Sequence, residues 1–76
     1  MNEWLEAAAE KLGSHVAIGA DEQRALLELA RVAAHTSGDR RNAPLVTYLV
    51  GLARGRGDSR SVAELVAEIV GDVDVA

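Results

Sequence analysis

The chain has 76 residues, eight basic against twelve acidic side chains, a net charge of −4 and no cysteine. That length holds one domain near the lower limit of independent folding. The composition excludes disulfides and thiolate metal sites and speaks against nucleic acid or an anionic membrane as the main partner, because both are bound by neutralising phosphate.

No run approaches the ~20 apolar residues of a membrane span. The opening Met1, Asn2, Glu3 and Trp4 lacks the basic start and apolar stretch of a secretion signal, so the cytoplasm is the expected compartment. Ala, Leu and Val dominate, with one Trp, one Tyr and no Phe. Small side chains favour closely packed helices over a sheet.

A first helix is expected over residues 3–12. Asn2 is a good N-cap, acids occupy the first turn and Gly13 is the stop. At ~100° per residue, Trp4, Leu5, Ala8 and Leu12 share one side and Glu3, Glu6 and Glu10 the other. Residues 14–20 form a connector bracketed by Gly13 and Gly19, with Val16 and Ile18 apolar enough to tuck beneath a bundle. His15, alone in this loop, is expected to be exposed.

A second helix is expected over 22–36, capped by Asp21 and stopped by Gly38. Its apolar arc is wide, from Ala25, Leu26 and Leu27 through Leu29 to Val32 and Ala33. Only Arg24, Glu28, Arg31 and His35 form a polar stripe, so cover on more than one side is expected. A turn-rich loop follows, and Pro44 suits the first turn of a third helix over 44–54, capped by Asn42 or Ala43. This helix is apolar on nearly every face. Leu45, Leu49 and Leu52 form a ridge, and Thr47 with Gly51 would let another backbone come close. It is the expected central helix.

Arg54, Arg56 and Arg60 punctuate a loop made flexible by its glycines. Ser61 and Glu64 have capping-box spacing and open a fourth helix over 61–70, with Val62, Leu65, Val66 and Ile69 inward and Glu64 and Glu68 toward water. Gly71 ends it, and 72–76 is a short frayed tail. The sum is all-α: a small four-helix bundle in one domain over 1–71.

The chemistry is concentrated between Arg31 and Pro44, which carries three of the seven arginines, one of the two histidines and the only proline. Arg31 and His35, four apart, stand side by side; the plainer assignment pairs Arg31 with Glu28 on a solvated stripe. Arg40 and Arg41 precede the free N–H groups of a helix start near Asn42, where a phosphate or carboxylate is favoured. The plainer assignment is Asp39 pairing with these arginines. There is no glycine-rich phosphate loop. The 54–60 loop could touch DNA as a helix-turn-helix turn, but Glu64 and Glu68 follow where phosphate contacts would be needed. No nucleophile–base–acid series is present, and two histidines twenty residues apart make a poor metal site. No cofactor and no unassisted enzyme activity is expected. Trp4 reads as a core or interface anchor, and the Tyr48 hydroxyl as reaching solvent or His35.

Asn2, Glu3, Trp4 and Leu5, the run from Leu29 through Arg31 to His35, and Ala43, Pro44 and Leu45 with Leu49 to Ala53 resemble a small actinobacterial domain of unknown function. That family occurs alone, beside, or fused to the molybdenum-cofactor guanylyltransferase. The likeness covers nearly the whole chain through short motifs of common helical residues, and the 14–20 connector departs from it. The resemblance implies a cytoplasmic accessory to molybdopterin guanine dinucleotide synthesis or to a molybdoenzyme. It carries over no catalytic residue.

The expected function is a non-catalytic helical interaction module, self-associating or docking on a larger protein such as the guanylyltransferase. A core of this size supplies only ~3–5 kcal/mol, and two strongly apolar helices are hard to cover in so short a chain. The alternative is a small phosphate- or nucleotide-binding domain using Arg31, His35, Arg40, Arg41 and Asn42.

Overall fold

A computed structural model describes residues 2–13 and 17–75. Four helices follow one another: α1 (Glu3–Lys11), α2 (Ala20–Ser37), α3 (Asn42–Gly55) and α4 (Val62–Val75). Among the described residues there is no strand, so the all-α expectation holds. None of these helices is long and apolar enough to cross a membrane.

The helix ends follow local chemistry. The Asn2 side chain accepts a hydrogen bond from the Leu5 N–H at 2.9 Å, satisfying one of the orphan donors of α1. Gly38 closes α2 with φ 73°, the left-handed conformation that costs a glycine least. The Ser61 hydroxyl accepts from the Glu64 N–H at 3.1 Å while the Glu64 carboxylate accepts from the Ser61 N–H at 3.0 Å, the reciprocal box expected at α4. At the start of α2 the cap is Gly19 rather than Asp21. Glu22 reaches back to the Gly19 N–H at 2.9 Å, so the helix starts two residues earlier, at Ala20, while Asp21 pairs loosely with Arg24.

Two other ends differ from expectation. Gly71 does not stop α4, whose backbone stays helical to Val75; a single helix-interior glycine costs only ~1 kcal/mol. The 54–60 loop is tied down rather than loose. Gly57, at φ 93°, ends α3 in a Schellman arrangement, with its own N–H donating to Arg54 O at 3.1 Å and the Asp58 N–H to Ala53 O at 3.1 Å. The Arg54 guanidinium then donates to the carbonyls of Asp58 and Arg60 at 2.7 and 3.0 Å.

The core lies where α2 meets α3 and α4. Leu29 of α2 is fully buried, and Val50 of α3 with Leu65 and Val66 of α4 close around it. Ala25, Leu26, Val46, Ala53, Val62 and Ile69 pack against that cluster half-buried. The inward face of α4 is the expected one. The centre is α2, which packs on both neighbours, whereas α3 and α4 meet each other only slightly; α3 is therefore not the central helix. The reason is geometric: α2 is the longest helix and follows the amphipathic period, so its one buried stripe holds two partners.

Packing is uneven beyond that core. Among the described residues, the first helix packs against none of the other three, and the molecule extends 40 Å along its long axis. Trp4 is 76% exposed and Leu12, just past the helix, is exposed as well, so Trp4 is no core residue. Ile18 also stays exposed rather than tucking under the bundle. His15 and Val16 lie outside the described residues.

Candidate functional site

The structure puts the five candidate polar residues on exposed surface and ties two of their side chains, Arg31 and Arg41, to neighbouring carboxylates. Arg31 clasps Glu28, with Nε donating to Oε2 at 3.1 Å and Nη2 to Oε1. That hydrogen bond holds the Glu28 carboxyl below its ordinary range. Both side chains are largely in water, so the pair contributes little to stability. His35 follows one turn later, exposed.

Arg41 is held by Asp39. Its Nε donates to both carboxylate oxygens at 3.0 and 3.1 Å, and Nη2 donates to Oδ2 at 2.7 Å. The same Asp39 Oδ1 accepts the Arg41 backbone N–H at 2.9 Å, and the Arg41 side chain first, then its N–H, lowers the Asp39 pKa. This is the plainer of the two assignments read from the sequence.

The start of α3 matters for the anion alternative. The Asn42 N–H donates to Asp39 O at 3.0 Å and the Ala43 N–H to Arg40 O at 3.2 Å. Pro44 has no N–H to offer. Helix starts hold phosphate through unsatisfied N–H groups, and here the donors at Arg41, Asn42 and Ala43 already have acceptors in the preceding turn. The helix begins at Asn42, two residues before Pro44, because this turn flows into it without a break. The Thr47 hydroxyl likewise donates inward, to Pro44 O at 2.8 Å.

The other side of α3 looks different. Leu45 and Leu49 are each 60% exposed and Tyr48 64%, which at three- and four-residue spacing puts three large apolar groups on one outward arc. Gly51 meets nothing within 4 Å of where a Cβ would stand. The expected close approach at Thr47 and Gly51 is thus not made by any described part of this chain.

Beside the arc runs a shallow apolar groove. Ala33 and Ser37 of α2, Leu45, Val46 and Leu49 of α3, and Ile69 of α4 line its upper part. Leu49, Val50, Ala53, Leu65 and Ile69 continue it between α3 and α4 to Arg60 and Glu68. The groove lies where α3 and α4, both packed on α2, meet each other only slightly. Arg60 at its lower end is braced by Asp58, Nη2 to Oδ2 at 2.7 Å. That hydrogen bond, with the Arg60 N–H, brings the Asp58 carboxyl down to about 2.

Nothing in the residue pattern of α3 sets its outward leucines apart from its inward ones. The available signal was that α3 is apolar on every face, more than one core can cover.

No curated protein and no solved structure matches this chain. A family profile does, that of a domain of unknown function, DUF6457, over residues 1–75. With all but the last residue matched, the chain belongs to the DUF6457 family.

Proposed function

We propose that the chain is a non-catalytic helical interaction module that docks on a larger protein through the outward arc of α3. The observation that carries this reading is the joint exposure of Leu45, Tyr48 and Leu49 on one helix face. Single exposed leucines are ordinary, but three large apolar groups together mark a contact surface. Tyr48, an aromatic with a polar tip, is the natural anchor of such a patch. The polar groups support the same reading from the other side. Arg31, Arg41, Arg54 and Arg60 are spent on Glu28, Asp39 and the 58–60 turn, a structural use of charge rather than one poised for chemistry.

The resemblance described above suggests the partner. In our reading the module is a cytoplasmic accessory to molybdopterin guanine dinucleotide synthesis, and the molybdenum-cofactor guanylyltransferase is the first protein to test. The alternative, a phosphate or nucleotide held by Arg31, His35, Arg40, Arg41 and Asn42, has weaker support, since the backbone donors it needs are engaged.

The test is binding of the purified chain to the purified guanylyltransferase, with Tyr48→Ala beside the natural chain. Binding that weakens about tenfold or more in the variant is expected. No binding to the guanylyltransferase, or binding indifferent to Tyr48, would remove the proposal.

A further inference from the structure

The first helix carries an apolar strip that no other helix covers among the described residues. Helices shorter than ~12–15 residues are marginal in water without tertiary support, and this one has nine. Its cap and its acidic first turn help, but each is worth only about a kilocalorie or less. Trp4, Ala7, Ala8, Lys11 and Leu12 line one continuous concave strip along it, with Trp4 76% and Leu12 83% exposed. A short helix with such a strip needs a surface to lie on.

The order of residues along the strip shows what fits it. Its ends are bulky, Trp4 at the start and Lys11 with Leu12 at the close, and its middle, Ala7 and Ala8, is small. Turned end for end and laid face to face, the strip complements itself, small against small and the indole against the lysine end. Charge follows the same symmetry. Glu3, Ala7 and Lys11 recur at four-residue spacing and so run along one edge of the helix. In an antiparallel pair that edge meets its own copy, acidic end against basic end, whereas a parallel pair would set Lys11 beside Lys11. Glu6 and Glu10 lie on the far side at ~100° per residue, so their like charges stay out of the contact. Lys11 has no acid paired with it among the described residues.

We propose that the occupant of this strip is α1 of a second copy of the chain, lying antiparallel. Trp4 of each copy covers Lys11 and Leu12 of the other, and Ala7 and Ala8 cross at the two-fold axis. The Lys11 stem lies along the Trp4 ring of the other copy, with its ammonium between that ring and the Glu3 carboxylate. Antiparallel packing also sets the two helix dipoles in opposition, each positive end beside a negative one. Such a contact is isologous and closed: the same strip is covered in both copies and none is left over to extend the assembly. Trp4 is the anchor, since a buried tryptophan dominates contacts of this size. The arc of α3 plays no part, because α1 does not pack on that helix, and it stays free for a larger partner.

Two nine-residue helices meet over less than the ~1,200 Å² of a standard stable interface, so the dimer is a weak one. Sedimentation of the full chain from about 10 μM to about 1 mM, with Trp4 emission read on the same samples, tests it. The mass is expected to double, and the emission of the sole tryptophan to move to shorter wavelength over the same range. Trp4→Ala, at an exposed position, should keep the circular dichroism of the natural chain and weaken self-association about tenfold or more. Glu3→Lys and Lys11→Glu should each weaken it about fivefold or more, because both edge pairs of the dimer become like-charged. An equimolar mixture of these two charge variants should associate better than either alone, since the basic edge of one then meets the acidic edge of the other. Both substitutions oppose the helix dipole, but that cost is the same alone or mixed, so the recovery reports contact between the two copies.

Five results would overturn the pairing. They are a monomer at every concentration; dimers whose Trp4 emission does not move, which join through another surface; a blue-shifted Trp4 in dilute monomer, which is α1 lying on its own chain; single charge variants that associate like the natural chain, which is a parallel pair; and charge variants that do not recover on mixing, which is a seat other than α1. A monomer that still binds the guanylyltransferase through Tyr48 would end the pairing and leave the interaction module standing.

Discussion

Leu29→Ala is the sharpest test of where the core lies. Leu29 is the one fully buried large side chain among the described residues, held between Val50, Leu65 and Val66. Truncation removes three carbon groups at ~0.8 kcal/mol each in transfer alone. The space left behind adds to this, since neighbours on three rigid helices relax only partly. A cost of ~3–4 kcal/mol follows, against a net stability of ~3–5 kcal/mol for a core of this size. The variant should therefore be partly unfolded at room temperature. Leu49→Ala, at a site 60% exposed, should cost well under ~1 kcal/mol. Urea unfolding in dilute solution measures both. Far-UV circular dichroism is the signal to follow, because Trp4 is already 76% exposed and its emission should change little on unfolding. If Leu29→Ala cost less than ~1 kcal/mol, or Leu49→Ala cost as much as Leu29→Ala, the arrangement of α2 against α3 and α4 would be refuted.

Four further outcomes follow from the local geometry. Gly57→Ala should lose ~1–2 kcal/mol in thermal melts, from backbone strain at φ 93° alone, since a Cβ there meets nothing within 4 Å. Gly51→Ala should instead stabilise the isolated chain by ~0.5–1 kcal/mol, as that site is helical and open; a loss would mean an unseen neighbour. Ser61→Ala should cost ~0.5–2 kcal/mol, read as a lowered urea midpoint, through loss of the bond to the Glu64 N–H. Asp58 has its folded pKa lowered from 3.8 to about 2 by the Arg60 hydrogen bonds. Its contribution is therefore complete above its unfolded value and is lost as pH falls from there through about 2. The melting temperature should keep dropping over that interval, and Asp58→Asn should flatten the drop.

The polar corner was legible only in outline. That Arg31, Arg40, Arg41 and Asn42 bracket a helix start is plain from spacing, and a helix start with arginines is also what an anion site looks like. Which of the two applies depends on where Asp39 points. It bends back to take the Arg41 side chain and N–H, while its carbonyl takes the Asn42 N–H. A carboxylate two residues away from a cation can do this or face water, and one-dimensional order does not distinguish them. The outward arc of α3 was less legible still. A stretch apolar on every face has no periodic contrast, so Leu45 and Leu49 read like Val46 and Val50 until the neighbours are in place.

What the sequence determined by itself is what a single turn of backbone decides. Asn2, Gly38 and the Ser61 with Glu64 pair act on groups within four residues, and the strongly amphipathic α1 and α4 announce their faces. The tertiary structure decided which apolar faces are covered. It made α2 the centre, left α1 unsupported and turned three large side chains of α3 to water. Burial is a property of what arrives from elsewhere in the chain. With only three helices to share a core, four apolar stripes cannot all be inside it.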